Sequence, residues 1–407
     1  MIAGGNERAV RAWCLYDWGN SAFATVCMTG VLPAYLASLA NTELGAPAGS
    51  VMWGWTAAAG LAVGAVLAPP LGALADSRGI RRKLLAAFAA LGVAATAALA
   101  IALPGSWRLA ALLYVVAATG FTGANVFYDG LLPGLAPASR WDAISAKGYA
   151  WGYAGGGIAL VGAAGLALAL PGSGVRWAFL LTAAWWAAFT WPVVTRVAEP
   201  PVEGSAGAFR RLAQTLREAR GHPVMWRFLV AYWLYNDGIG TIIKLAGAYG
   251  TEVGVPMATL LGALVLAQAV GVPATVGFGR LAKRIGTKRA IELALLGYVA
   301  VVAFAYVMVR PWHFVVLACL VGLVQGGAQA LSRSLFARLV PRGREAEYFS
   351  FLDVSGRMAG IAGPVMFSLL TSAAGSGRTG ILAVLALFAA GGWMLHRLPL
   401  PDALTRS

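Results

Sequence analysis

Twelve uninterrupted apolar stretches, each about as long as a helix that crosses a bilayer, constrain this chain more than any other feature. A helix needs roughly 20 apolar residues to cover the hydrocarbon core. In the 407-residue sequence they run Trp13–Leu39, Val51–Ala75, Leu84–Leu103, Leu109–Leu135, Ile144–Leu170 and Trp177–Val197 in the first half. The second half carries Phe228–Gly250, Ala258–Leu281, Ala290–Val309, Phe314–Val340, Phe349–Ala374 and Thr379–Leu395. Their faces are apolar all round, whereas a membrane barrel needs short alternating strands. The chain is 59% hydrophobic and 12% charged, and a soluble domain carries about a quarter charged residues. Too little polar surface is left to face water, so lipid must solvate most of the molecule. The expected class is an all-α membrane protein of twelve transmembrane helices.

Charge gives the orientation. Of the 31 Lys and Arg, only Arg108, Arg176, Arg310 and Arg378 fall in one set of loops, while clusters such as Arg78–Lys83 and Arg280–Arg289 fill the other. Basic loops stay on the cytoplasmic side, which places both termini in the cytoplasm of a multi-pass protein in a bacterial inner membrane. The same placement accounts for the net charge of +15 without nucleic acid. Arg8 and Arg11 precede the first span as in a signal sequence, but that span is full length and holds Asp17 and Asn20, so a retained first helix is expected. Cys14, Cys27 and Cys319 are scattered in apolar stretches with no metal-ligand spacing.

The chain divides into two halves. Residues 1–197 and 223–407 are expected to form two pseudo-symmetric six-helix bundles. The break at 198–222 opens with Pro200-Pro201 and continues as an amphipathic segment. Phe209, Leu212, Ala213 and Leu216 form one face, and Arg210, Arg211, Arg217 and Arg220 the other. Such a helix lies on the membrane surface or forms a solvated linker. The halves also repeat. Gly72-x-x-x-Asp76-x-x-Gly79-x-Arg81-Arg82 returns as Gly279-x-x-x-Lys283-x-x-Gly286-x-Lys288-Arg289, and Asn125, Asp129, Pro137 and Gly152 align with Gln329, Arg333, Pro341 and Gly356. Repeats on this scale belong to transporters in which two bundles rock about a central site.

The glycine–acid–glycine–basic loop resembles the loop 2–3 signature of the major facilitator superfamily, where it controls the cytoplasmic gate. Helix 1 carries Tyr16-Asp17-Trp18-Gly19-Asn20-Ser21-Ala22-Phe23, and helix 7 carries Leu234-Tyr235-Asn236-Asp237-Gly238. Helix 10 carries Gln325-Gly326-Gly327-Ala328-Gln329-Ala330-Leu331-Ser332-Arg333-Ser334, and helix 11 opens Phe351-Leu352-Asp353-Val354-Ser355-Gly356. Together these are similar to the branch that includes the autophagy-related vacuolar amino-acid effluxers and their bacterial relatives. The resemblance implies efflux or exchange of small solutes.

Ionisable groups inside spans cost a few kcal/mol on insertion scales and need a reason. Asp17, Asp129, Arg333, Asp353 and Arg357 lie within about two turns of the cytoplasmic ends of their helices. Asp129 is expected to pair with Arg81 or Arg82, and Arg333 with Asp353 or Asp17, as bridges that with Asp76 close the inner gate. Direct substrate contact is the alternative. Asp237 lies about eleven residues into helix 7, roughly 16 Å deep at 1.5 Å per residue. A carboxylate there must pair, protonate or bind a cation. With Asn236 and Tyr235 it is expected to bind substrate or a coupling ion, unless Lys244, two turns on, satisfies it. Asn20, Asn125, Gln325 and Gln329 are uncharged candidates for solute hydrogen bonds or for inter-helix contacts.

The function expected is secondary active transport of an amino acid or similar metabolite by alternating access, coupled to protons or Na+. A copper importer or a multidrug efflux pump is the alternative. Neither a cofactor nor a resident metal is called for, no enzyme constellation is present, and a monomer in lipid is expected.

Overall fold

The computed structural model describes residues 7–101, 106–136, 141–198, 217–218, 220–339, 348, 351–352, 355–356 and 359–399. Among them are twelve helices. The first half holds α1 (Glu7–Leu44), α2 (Ala48–Arg78), α3 (Arg81–Ile101), α4 (Trp107–Leu131), α5 (Trp141–Ala169) and α6 (Gly174–Arg196). The second holds α7 (Pro223–Glu252), α8 (Met257–Ile285), α9 (Thr287–Tyr306), α10 (Pro311–Leu339), α11 (Ala362–Ala374) and α12 (Gly377–His396). Nine are long and apolar enough to cross a membrane. Large apolar side chains such as Val66 and Trp191, each 70% exposed, lie on the outside. Lipid covers such surface at no cost, whereas water would not.

Two helices depart from the expected spans. α1 begins earlier and ends later than Trp13–Leu39, and its residues Phe23–Gly30 are wound as a π-helix. Thr25 Oγ1 lies 2.9 Å from Gly156 O on α5, an inter-helix contact inside that wider turn. α11 starts at Ala362, well inside the expected Phe349–Ala374, after a turn at Gly360 and Ile361. Pro364 supplies the reason. It has no N–H to offer Gly360, and its ring fits best in a helix's first turn. The amphipathic linker and most of the first half of the expected helix 11 lie outside the described residues.

The chain forms two compact units, Met1–Leu39 with Ala59–Arg211, and Ala40–Ala58 with Leu212–Ser407. α2 is therefore one helix whose first turns belong to the second unit. Within the first unit, α1 packs on α5 and α6, α3 on α4 and α6, and α5 on α6. Within the second, α7 packs on α11 and α12, α9 on α10 and α12, and α11 on α12. Each pair recurs six helices later, so the sequence repeat is also a repeat of packing partners. In the first unit α3 and α4 approach backbone to backbone, and a Cβ on Gly120 would stand 2.6 Å from Gly92 Cα. Backbone cannot yield as a side chain does. Gly120→Val should lower stability by roughly 1–3 kcal/mol through overpacking, read as a fall in Tm of the purified protein; an unchanged Tm would refute this contact.

Candidate functional site

The second unit holds a buried polar cluster around Asp237, which is 3% exposed on α7. Its Oδ2 accepts a hydrogen bond of 2.7 Å from the Gly363 amide, and Thr241 Oγ1 lies 3.4 Å from Oδ1. Gly363 stands in the first turn of α11, where backbone N–H groups have no partner within the helix. Asp237 therefore caps the end created by the break at Gly360–Ile361. The positive end of the α11 dipole and a charge-assisted bond both favour a carboxylate there. Glycine is required at 363, because a Cβ would overlap Thr241 Oγ1 and lie 2.9 Å from Asp237 Oδ1. Asp237 thus has a backbone partner on α11, and among the described residues it makes no ion pair with Lys244.

Lys244 is electrostatically coupled to Asp237 without touching it. Its Nζ makes no hydrogen bond or ion pair among the described residues. Instead the side chain folds back along α7, with Nζ 3.3 Å from where a Cβ of Gly240 would be. Tyr232, Asn236, Gly240 and Lys244 recur at four-residue steps and are half-buried, while Asp237 and Thr241 on the neighbouring face are fully buried. One stripe of α7 thus remains open, and it carries an amide and an ammonium. Asn236, and Gln325 and Gln329 on α10, are also half-buried and make no side-chain hydrogen bond among the described residues.

Tyr235 is used differently. It is fully buried, and its hydroxyl lies 2.6 Å from Ser332 Oγ on α10. Ser332 donates its own proton to Ala328 O at 2.6 Å. Tyr235 must then donate to Ser332, which makes it a link between α7 and α10 rather than part of the open stripe.

In the first unit, Asn20 Nδ2 donates to Asn125 Oδ1 at 2.6 Å, joining α1 to α4. Asp17, half-buried, lies against Gly152 of α5, 3.2 Å from where its Cβ would stand. The Arg81 side chain rests on Gly130, the neighbour of Asp129, and Arg82 donates to Val197 O at 3.1 Å. The basic pair of the loop motif is therefore anchored to α4 and to the end of α6. The side chains of Asp76 and Arg333, together with Asp353 and Arg357, lie outside the described residues.

Several residues of these clusters were not among the candidates read from sequence. Thr241 is four residues from Asp237, the helical spacing that puts two side chains on one face. Gly363-Pro364 inside an apolar span is a break signal. Ser50 and Glu252, which hydrogen-bond to each other, and Gly377, whose amide donates to Glu252 Oε1, carry no motif at all.

This architecture is that of the major facilitator superfamily. The chain matches a crystal structure of a D-xylose–proton symporter with a TM-score of 0.74 over 98% of both chains, at 13% identity. The protein is an MFS-type secondary transporter, embedded as a multi-pass membrane protein, and not an enzyme. Within that class the chain belongs to the Atg22-like family, whose model, described as "Vacuole effluxer Atg22 like", matches residues 49–405. It is 36% identical to the "Uncharacterized MFS-type transporter YxiO" of Bacillus subtilis, over 93% of this chain and 92% of that one. It is 24% identical to autophagy-related protein 22 of Coccidioides immitis, over 79% of this chain and 68% of the relative.

Proposed function

We propose that this transporter moves a small amino-acid-like solute across a bacterial cytoplasmic membrane by alternating access, with Asp237 carrying a coupling proton. Both chain ends lie in the cytoplasm on this reading. The observation that supports it is the pairing of Asp237 with the first turn of a helix that begins inside the expected eleventh span. A proton on Asp237 removes the charge that the α11 amide and dipole favour, so proton binding is linked to the seating of α11 on α7. Lys244 is the charge left for the solute. Its ammonium stands on the open stripe beside Asn236, suited to a carboxylate, while Gln325 and Gln329 on α10 of the same unit offer neutral hydrogen-bonding groups. The family's name for its fungal members, vacuole effluxers, agrees with a small solute.

Binding can be tested without knowing the coupling. A thermal-shift screen of the purified protein against amino acids and their amides should find carboxylates that raise Tm, since a ligand stabilises the state it binds. Lys244→Gln should weaken that stabilisation and raise the half-saturating concentration by roughly tenfold or more, the loss of one charge-assisted hydrogen bond. Equal stabilisation by acids and amides, with Lys244→Gln behaving as wild type, would remove Lys244 from the site.

A further inference from the structure

The first unit holds a carboxylate that neither its packing nor the transport reading uses. Asp17 on α1 makes no hydrogen bond or ion pair among the described residues. Lys147, a cation on the facing helix α5, is exposed and does not pair with it. Ser21, one turn further along α1, also makes no side-chain hydrogen bond among the described residues. An acid inside a membrane span is costly, and one kept without a partner needs another reason.

The two side chains converge on one place. Asp17 Oδ2 and Ser21 Oγ lie 3.2 and 2.8 Å from where a Cβ of Gly152 would stand. Both side chains are half-buried while Gly152 is buried, so the missing Cβ leaves a notch walled by two oxygens. A third oxygen stands one turn away on the same face of α5. The Tyr128 hydroxyl is buried with no hydrogen-bond partner among the described residues, 3.4 Å from the Cβ position of Gly148. Its ring is fixed by Trp13, which stacks on it at 4.3 Å and donates from Nε1 to Tyr128 O at 3.0 Å. Asp129, the next residue of α4, acts on Asp17 electrostatically, so a second acid adds to the negative potential there. The π-helical turn of α1 begins at Phe23, two residues beyond Ser21, and such turns are frequent at functional sites.

A carboxylate and a hydroxyl without partners, in a region of negative potential, suit a cation. Calcium and magnesium take six or more oxygen ligands, more than these side chains supply. A primary ammonium carries only three N–H donors, and its hydrogen bonds to a carboxylate are of the strong, charge-assisted kind. We propose that Asp17 and Ser21, over the notch at Gly152, bind the primary ammonium group of the transported solute. The proposal rests on the amino-acid-like solute of the transport reading and narrows it to solutes that bear an amine.

The test is a thermal-shift titration of the purified full chain with n-butylammonium chloride, compared with sodium chloride and sodium butyrate at equal concentrations. The wild type should show a saturable rise in Tm with butylammonium that sodium chloride does not give. Asp17→Asn should raise the half-saturating concentration by roughly tenfold or more, and Ser21→Ala by about threefold. Glu252→Gln, which removes an acid elsewhere, should titrate as the wild type does. If Asp17→Asn does not fold, Ser21→Ala carries the comparison, since it loses a hydroxyl that makes no bond within the protein. Butyrate reads the carboxylate end of the solute, so a failure confined to butyrate would strike Lys244 from the transport reading and leave this site standing. Butylammonium titrating Asp17→Asn or Ser21→Ala as it does the wild type would overturn the assignment. So would a wild type that does not respond to butylammonium, or one that sodium chloride stabilises equally.

Discussion

Asp237→Asn is expected to abolish proton-driven accumulation while sparing fold and solute exchange. Asparagine keeps the size of the side chain, and its Oδ1 still accepts from the Gly363 amide or from Thr241, so the α11 cap survives without titration. Coupling to one proton supports at most about a tenfold solute ratio per unit of pH gradient, the equivalent of about 1.36 kcal/mol. In the mutant this ratio should collapse to one, with counterflow of labelled solute continuing. Asp237→Ala should behave differently. It leaves the buried Gly363 amide without its partner, which costs about 1–3 kcal/mol, so both Tm and exchange should fall. If Asp237→Asn accumulates solute as the wild type does, the coupling proton resides elsewhere.

The second large effect is expected at Gly363. Its amide stands 2.7 Å from Asp237 Oδ2 with Thr241 packed at its side, and a branched side chain has nowhere to go. Gly363→Val should displace Thr241, pull the amide from Asp237, and cost roughly 1–3 kcal/mol of stability together with all transport. The clash is mainly with the Thr241 hydroxyl, so the milder Gly363→Ala should be partly rescued by Thr241→Ala. Residues in contact couple by about 0.5–3 kcal/mol in such double-mutant cycles, and the interaction should appear in Tm. Strict additivity of the two substitutions would show that Gly363 and Thr241 do not meet in the folded protein.

Much of this architecture is legible in the sequence because lipid imposes it. Twelve apolar runs force helices, since hydrocarbon offers backbone groups no other partner. The paired loop motifs and the shifted alignment of Asn125 with Gln329 and Asp129 with Arg333 point to two related halves, and the packing pairs of the folded chain recur in the same way. Asp237 stands out because a carboxylate inside a span is costly. Its partner does not. The capping amide belongs to Gly363, 126 residues away, and a backbone N–H leaves no mark in composition. Lys244 is the partner that spacing suggests, since seven residues put two side chains on one side of a helix. The folded chain instead brings the start of α11 to Asp237. Glu252 escapes notice for a related reason. An acid at a helix end reads as a solvated cap, and only tertiary packing brings Ser50 and Gly377 to it.

Linkage of solute and proton movements through the α7–α11 pair is open to one direct measurement. Proteoliposomes of wild-type protein are loaded with a pH-sensitive dye, no pH gradient is imposed, and a solute found by the thermal-shift screen is added on one side. If the two movements are linked, downhill solute flux drives protons and changes internal pH at a rate proportional to flux, while Asp237→Asn carries solute with no pH change. Solute entry in the wild type with internal pH flat throughout would contradict the linkage.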